Sequence, residues 1–392
     1  MKVCIVGHSA GGFGERDGGS ERQSALLALG LAARGHDVAY VVTGSAGGDR
    51  AIDGVRLRAG WDPHAGVRFV RAAYRYPRLL SVLRGEGADV YYSRGAGYYT
   101  PFVMRAAKDV GATSILALAS DKDLYAASGK VLFGVAGARV SAVIGPVAHA
   151  GFRRWGLRAA DWVVVQNEEQ AAACASLGLR HAVLPSIVEP PSEALLATVA
   201  ARDVIWAGNV RDGRRSKGVD ELVVLAELLA GVGFTLAGRL SGESSRAARA
   251  ALERQPNVEL DGPLTHAQTV RRIAEHRLVI NTSPSEGFSN VMLEGWSLGL
   301  PSVTLAVNPS GLLTADRLGI CAGGDPRVMA AAIVALLEES AARAAMGRRC
   351  RAYVARVHAP SRVVEAFERL VSQALPRPWR PPGARLRRPL RP

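Results

Sequence analysis

Cysteine is scarce in this sequence. Cys4, Cys174, Cys321 and Cys350 are the only four in 392 residues, and they lie far apart. No CxxC pair or Cys/His cluster offers a zinc site, and so few thiols make no disulfide framework, so reduced cysteines are expected. Aromatic residues amount to 6%. No helix-turn-helix, zinc-finger or RNA-binding signature accompanies them, which argues against a nucleic-acid partner. Long apolar runs are also missing. The longest weakly polar stretch, Val131–Ala148, is interrupted by Gly134, Gly137, Arg139 and Pro146. An arginine in mid-span is costly in a bilayer, so this stretch is expected to be a core or interfacial helix. The N-terminus has one Lys, a very short apolar run and no plausible cleavage site. It reads as the start of a strand, so no signal peptide is expected. The expected location is cytoplasmic.

Charge of one sign is abundant. With 49 basic and 35 acidic residues the formal net charge is +14. Such a balance favours anionic partners: nucleic acid, phosphorylated metabolites or a membrane surface. The excess is uneven. The last 17 residues, 376–392, hold six Arg, six Pro and no acid, and without them the charge falls to +8. A Pro/Arg run with little to bury is expected to be a disordered tail. Its Arg residues with Trp379, Leu386 and Leu390 leave open a peripheral contact with anionic lipid at the inner face of a membrane.

The rest is patterned as α/β. Short β-branched runs (Val3–Val6, Val38–Val42, Val90–Ser93, Ile115–Ala119, Trp162–Gln166, Ala182–Leu184, then Val204–Ala207, Thr235–Ala237, Val258–Leu260, Leu278–Asn281 and Ser302–Leu305) alternate with helical segments such as Glu21–Arg34, Val219–Leu229 and His266–Glu275. Near-continuous apolar strands between amphipathic helices predict parallel sheets covered on both faces. The Pro-rich segment 185–192 is the clearest internal punctuation. Two Rossmann-like, doubly wound parallel-sheet domains are therefore expected, over 1–190 and 203–360, followed by a helix over 361–375 and the tail over 376–392. Ligands of such domains bind at the carboxyl ends of the strands, here in a cleft between the two domains.

Three loops carry candidate chemistry. After the first strand, the loop to the next helix contains Gly11, Gly12, Gly14, Gly18 and Gly19. The spacing is not that of a dinucleotide fingerprint. The glycines either cradle a phosphate at the helix start or make a turn that Ser20 caps. The second loop, 208–218, holds Asn209, Arg211, Arg214, Arg215 and Lys217 just before a helix. It reads as an anion site or as a solvated basic loop, and it is not a Walker loop. The third stretch, 281–301, runs from a strand through Glu286, Gly287 and Phe288 to a helix that Ser289 or Asn290 can cap. Free N–H groups at such a start suit a diphosphate. Glu286 and Glu294 lie eight residues apart, roughly 80° around an axis if both were helical, so they can address different parts of one ligand. Carboxylates accept hydrogen bonds from sugar hydroxyls. Glu294 sits in an apolar run, where an unpaired carboxylate is expensive.

The Glu286…Glu294 pair around Gly-Phe-Ser-Asn, followed by Gly299-Leu300-Pro301, resembles the E-x7-E signature of retaining GT-B glycosyltransferases of family 4. Gly18-Gly19-Ser20-Glu21-Arg22 resembles that family's N-terminal loop, Lys217-Gly218 its helix entrance, and Asp161 to Asn167 the strand before its interdomain linker. The resemblance implies a nucleoside-diphosphate sugar donor held between the domains and transferred with retention, without a metal or bound cofactor. It implies that Lys217 neutralises the diphosphate, that Gly18, Gly19, Phe288, Ser289 and Asn290 contact phosphate or sugar, that Glu286 and Gly287 bind the donor sugar and Glu294 the ribose, and that the base lies near Gly262 and Leu264. The final helix is implied to pack back on the first domain. The sequence departs from the family in two places. Asn209 stands where an Arg is usual, with Arg211 the favoured substitute among Arg211, Arg214 and Arg215. Asp121 and Asp123 occupy the region of a family His, where they contact sugar or acceptor hydroxyls, or Asp121 caps a helix.

The expected activity is a hexosyltransferase acting on a glycan, lipid-linked or small-molecule hydroxyl. A GT-B sugar-nucleotide epimerase or phosphorylase and a non-catalytic anion-binding protein are the alternatives, since fold alone does not separate them. The loop Tyr91–Tyr99, with four Tyr around a glycine turn, is a candidate platform for an acceptor sugar or ordinary packing.

Overall fold

A computed structural model describes residues 1–14, 18–43, 49–61, 71–125, 151–210 and 217–375. Two parallel sheets organise it, in agreement with the expected fold class. The first contains β1 (Lys2–Gly7), β2 (Asp37–Val42), β3 (Arg50–Ile52), β4 (Val55–Ala59), β5 (Val90–Arg94), β6 (Thr113–Ala117), β7 (Trp162–Val165) and β8 (His181–Val183), in the order β3-β4-β2-β1-β5-β6-β7-β8. Only β3 runs antiparallel, against β4. The second contains β9 (Arg202–Ala207), β10 (Phe234–Ala237), β11 (Val258–Gly262), β12 (His276–Asn281), β13 (Ser302–Thr304) and β14 (Gly319–Cys321), in the order β11-β10-β9-β12-β13-β14.

The central strands β5 and β6 are buried along their whole length, as parallel strands covered by helices must be. Their apolar side chains divide between two cores, one on each face of the first sheet. Three strands escape the sequence reading. β3 and β4 form a hairpin whose turn is Asp53-Gly54, both at positive φ (45° and 82°). That dipeptide is a strong hairpin signal, and the antiparallel pair it joins lies outside the parallel pattern of the other strands. β14 is only three residues long and half-buried at its end.

The tyrosine loop is packing. Tyr91 and Tyr92 lie fully buried within β5 and Tyr99 is nearly so. The Tyr91 hydroxyl donates to the Leu83 carbonyl at 2.6 Å. These rings face the two cores, so Tyr91, Tyr92 and Tyr99 offer no platform to a sugar. The stretch 131–148 and the basic tail from 376 lie outside the described residues.

Two segments tie the sheets together. In the linker, Gln23 of the helix Gly19–Ala33 brackets Ile187, donating to its carbonyl at 2.8 Å and accepting from its N–H at 2.6 Å. Arg22 pairs with Glu189. The helix Pro360–Ala374 lays Val363, Val364, Phe367, Leu370 and Val371 into the core beneath β1 and β5. Its Glu368 accepts from Arg34 at 2.9 Å and bonds the buried His36 at 2.8 Å.

Candidate active site

The carboxyl ends of both sheets face each other, and three helices start there. Gly18, Gly218 and Ser289 are their N-caps, and none is closed by a side-chain hydrogen bond. Each start therefore presents unpaired N–H groups and the positive end of its dipole. The helix Asn290–Leu298 begins at Asn290, so Glu286 lies in the preceding turn and the helical angle between the two glutamates does not apply. Gly19 and Asn290 meet across the cleft: a Cβ on Gly19 would stand 2.3 Å from Asn290 Nδ2. Two of the positive helix ends thus converge, a geometry suited to an anion.

Lys217 is placed by its backbone. Its carbonyl accepts from Thr282 Oγ1 at 2.9 Å, and that hydroxyl accepts from Trp206 Nε1 at 3.0 Å. Gly218 follows in the left-handed region (φ 70°), pressed against the Thr282 carbonyl. The side chain, 43% exposed, reaches the carboxylate of Glu286, with Nζ 3.4 Å from Oε1. Glu286 Oε1 also accepts from Ser283 Oγ at 2.7 Å. A cation and a carboxylate therefore stand together beside the uncapped start of Asn290–Leu298.

Glu294, one turn inside that helix, is 16% exposed and has His266 Nδ1 at 3.5 Å. Burial pushes its carboxyl up to about 8, against the pull of Arg22 and with a push from Glu189. Burial also holds His266 down at about 4, assisted by Arg22. A carboxyl whose folded pKa is raised binds its proton more tightly when folded. Its contribution to stability is intact below the ordinary value of 4.5 and erodes as pH climbs to about 8. Glu294→Gln is therefore expected to gain thermal stability relative to the parent protein steadily from about pH 5 to about pH 8.5. A difference in Tm that stays constant across that range defeats this reading.

The other candidates divide. Gly287 is clamped from the first domain. Its carbonyl accepts from Asn167 Nδ2 at 2.7 Å, and a Cβ there would stand 2.4 Å from Gln166 Oε1 and 2.6 Å from Gln170 Nε2. Asp121 joins this clamp, accepting from Gln170 Nε2 and from Ser285 Oγ, both at 2.8 Å. Phe288 packs edge-on against Trp296 and His358, so only its backbone is offered to the cleft. Asp123 is spent on the fold: it accepts from the amides of Ala96, Ala119 and Ser120, pairs with Arg153 at 2.8 Å, and so holds the turn before the short helix Lys122–Tyr125. Asn209 Oδ1 accepts from the Arg239 amide at 2.8 Å and stitches the β9 and β10 loops. Gly262 closes β11 at φ 70°, with open space beside it, and Leu264 is half-buried against the core. Arg211, Arg214 and Arg215 lie outside the described residues. Among the described residues no group of three or more His, Cys, Asp and Glu side chains is placed to hold a metal.

Gln166, Asn167, Gln170, Arg22 and His266 complete the site; Arg22, Gln166 and Asn167 stand in motifs that resemble the family's, but none of the five was expected as a site residue. A Gln-Asn pair ending the apolar strand Trp162–Val165 was the available signal, because polar side chains at a carboxyl strand end have little else to do.

Sequence families match both halves. Residues 18–185 match the family described as "Glycosyl transferase 4-like domain" and residues 201–339 the one described as "Glycosyl transferases group 1". The chain is a GT-B glycosyltransferase of the family 4-like kind. Solved structures agree on the fold. Sucrose-phosphate synthase from Thermosynechococcus elongatus superposes with a TM-score of 0.71 at 15% identity, covering 95% of this chain and 98% of that one. Anabaena HepE in complex with UDP-glucose gives 0.68 at 15%, covering 95% and 100%. WaaG, a glycosyltransferase involved in lipopolysaccharide biosynthesis, gives 0.68 at 16%, also covering 95% and 100%. Among curated proteins none matches. No helix among the described residues is long and apolar enough to cross a membrane.

Proposed function

We propose that this glycosyltransferase is a retaining, metal-independent hexosyltransferase that uses a nucleoside-diphosphate sugar and a glycan, lipid-linked or small-molecule hydroxyl. The observation that carries the proposal is the meeting of Lys217 and Glu286 beside the converging helix starts at Gly19 and Asn290. The bond that breaks joins the anomeric carbon to the diphosphate, and the departing oxygen gains negative charge. Lys217 and the unpaired N–H groups of the helix starts are aimed where that charge develops, which is the main service a site of this kind provides. Glu286, released from Lys217 as the diphosphate takes over the ammonium, accepts from donor-sugar hydroxyls. Glu294, deep in the same helix beside His266, accepts from the ribose. In a retaining transfer the acceptor oxygen arrives on the face the diphosphate leaves, so the departing phosphate oxygen is placed to take the acceptor proton. HepE, bound to UDP-glucose, and WaaG, involved in lipopolysaccharide biosynthesis, favour a uridine nucleotide and an envelope glycan among the choices.

The test is a panel of nucleotide sugars screened by thermal shift, followed by transfer to candidate acceptors with and without EDTA. A matched donor at 100 times its Kd is expected to add about 2.7 kcal/mol of stability. Transfer is expected to survive EDTA and to conserve the anomeric configuration. Epimerisation of the donor in the absence of any acceptor supports the epimerase reading instead. Inversion, or abolition by EDTA, defeats the mechanism.

A further inference from the structure

We propose that Arg94, at the carboxyl end of β5, binds an anionic group, a phosphate or carboxylate, carried by the acceptor. This rests on the transferase reading above and adds the chemical class of its second substrate.

Arg94 is the last residue of a central strand of the first sheet and only 9% exposed. Among the described residues no carboxylate lies within salt-bridge distance of it. Among those residues its one hydrogen bond, from Nη2 to Ser186 Oγ, is long at 3.5 Å, and its buried Nε meets no partner. The half-buried Arg272 is treated differently: it is gripped by Asp261, Glu259 and Glu275. An arginine keeps its charge at any ordinary pH. A buried guanidinium without an acid is costly and is retained where a counter-charge arrives from outside.

The surroundings say where it arrives. Gln166, at the carboxyl end of β7, also donates to Ser186 Oγ, at 3.4 Å, and its Oε1 is likewise buried and unsatisfied. That oxygen lies against Gly287, the residue after Glu286. The Ser186 hydroxyl and the Gln166 side chain thus span the gap between the guanidinium and the loop where the donor sugar is proposed to sit. Arg94 belongs to the first domain, whereas the diphosphate already has Lys217 and the helix starts. An arginine fork matches phosphate and carboxylate oxygens in pairs, and the free Gln166 oxygen is left to accept from a neighbouring hydroxyl.

The binding claim is tested apart from turnover. In protein labelled with 15N at arginine, the Arg94 Nε–H signal, assigned by its loss in Arg94→Lys, is followed during titration with inorganic phosphate at constant ionic strength. It is expected to shift saturably in the parent protein and in Lys217→Ala alike, because the two cations serve different anions. No shift, or an equal shift on adding chloride, overturns the proposal. Once a donor and an acceptor are identified, Arg94→Gln is expected to weaken acceptor binding roughly 30-fold or more, the scale for truncating one partner of a buried charge pair. Donor affinity is expected to be unchanged and Arg94→Lys to recover part of the loss. A loss in donor affinity with acceptor affinity intact assigns the anion to the donor and refutes the proposal. Equal losses for charged acceptors and for matched analogues lacking the anionic group refute it too. A negative transfer assay with a positive phosphate titration faults the assumed reaction and leaves the anion site standing.

Discussion

Lys217→Ala is expected to lower kcat for sugar transfer by at least ~100-fold, the scale for removing one preorganised charge contact from a developing anion. The fold should scarcely notice. The ammonium is 43% exposed and its one ion pair among the described residues is with Glu286. The links that shape the loop run through the Lys217 carbonyl and Thr282, which alanine keeps. The expected pattern is a Tm close to that of the parent protein, a modest loss in donor affinity and a large loss in single-turnover rate. Such a pattern marks an interaction made chiefly in the transition state. Near-parental turnover by the variant would sink the assignment. A proportional loss in donor affinity and none in kcat would make Lys217 a binding residue only.

Much of this arrangement was legible because parallel α/β folds write themselves locally. Apolar runs such as Val38–Val42 and Leu278–Asn281 lie in β2 and β12, and the glycine-rich stretches fall at the carboxyl strand ends. What escaped was long-range. The run Val90–Ser93 already placed Tyr91 inside a strand, yet an aromatic beside a glycine turn suits a sugar as well as a hydrophobic cluster, and only the structure turns its ring into the core. Asp121 and Asp123 look interchangeable in sequence. Their difference is set by the amides of Ala96, Ala119 and Ser120 and by Arg153, which converge on one of them only. The Gln166–Asn167–Gln170 clamp on Gly287 joins residues about 120 positions apart, a separation no periodicity reveals. Glu294 is an intermediate case. Its apolar neighbours announced the cost of burying it, and only the structure supplied His266 and Arg22.

Gly218→Ala should be among the most costly single methyl groups added near the site. Gly218 sits at φ 70°, where a Cβ is strained by roughly 1–2 kcal/mol. That Cβ would also stand 1.9 Å from the Thr282 carbonyl oxygen, a backbone atom that cannot rotate away. Either the helix Val219–Leu228 retreats or the strand end at Thr282 does. Both movements pull the Lys217 carbonyl from Thr282 Oγ1, and with it the ammonium from the cleft. We expect destabilisation of about 3 kcal/mol or more, from strain and steric overlap together, and transfer reduced beyond the ~100-fold of Lys217→Ala. Gly262→Ala separates the two causes. It has the same φ of 70° but open space beside it, so it should show the backbone cost alone, about 1 kcal/mol, or roughly 2–4 °C in Tm. If the two substitutions prove equally mild, the contact with Thr282 does not position Lys217. If Gly218→Ala loses transfer while its Tm falls no further than that of Gly262→Ala, the helix has moved without unfolding. The placement of the cation, more than the stability of the domain, is then what the glycine protects.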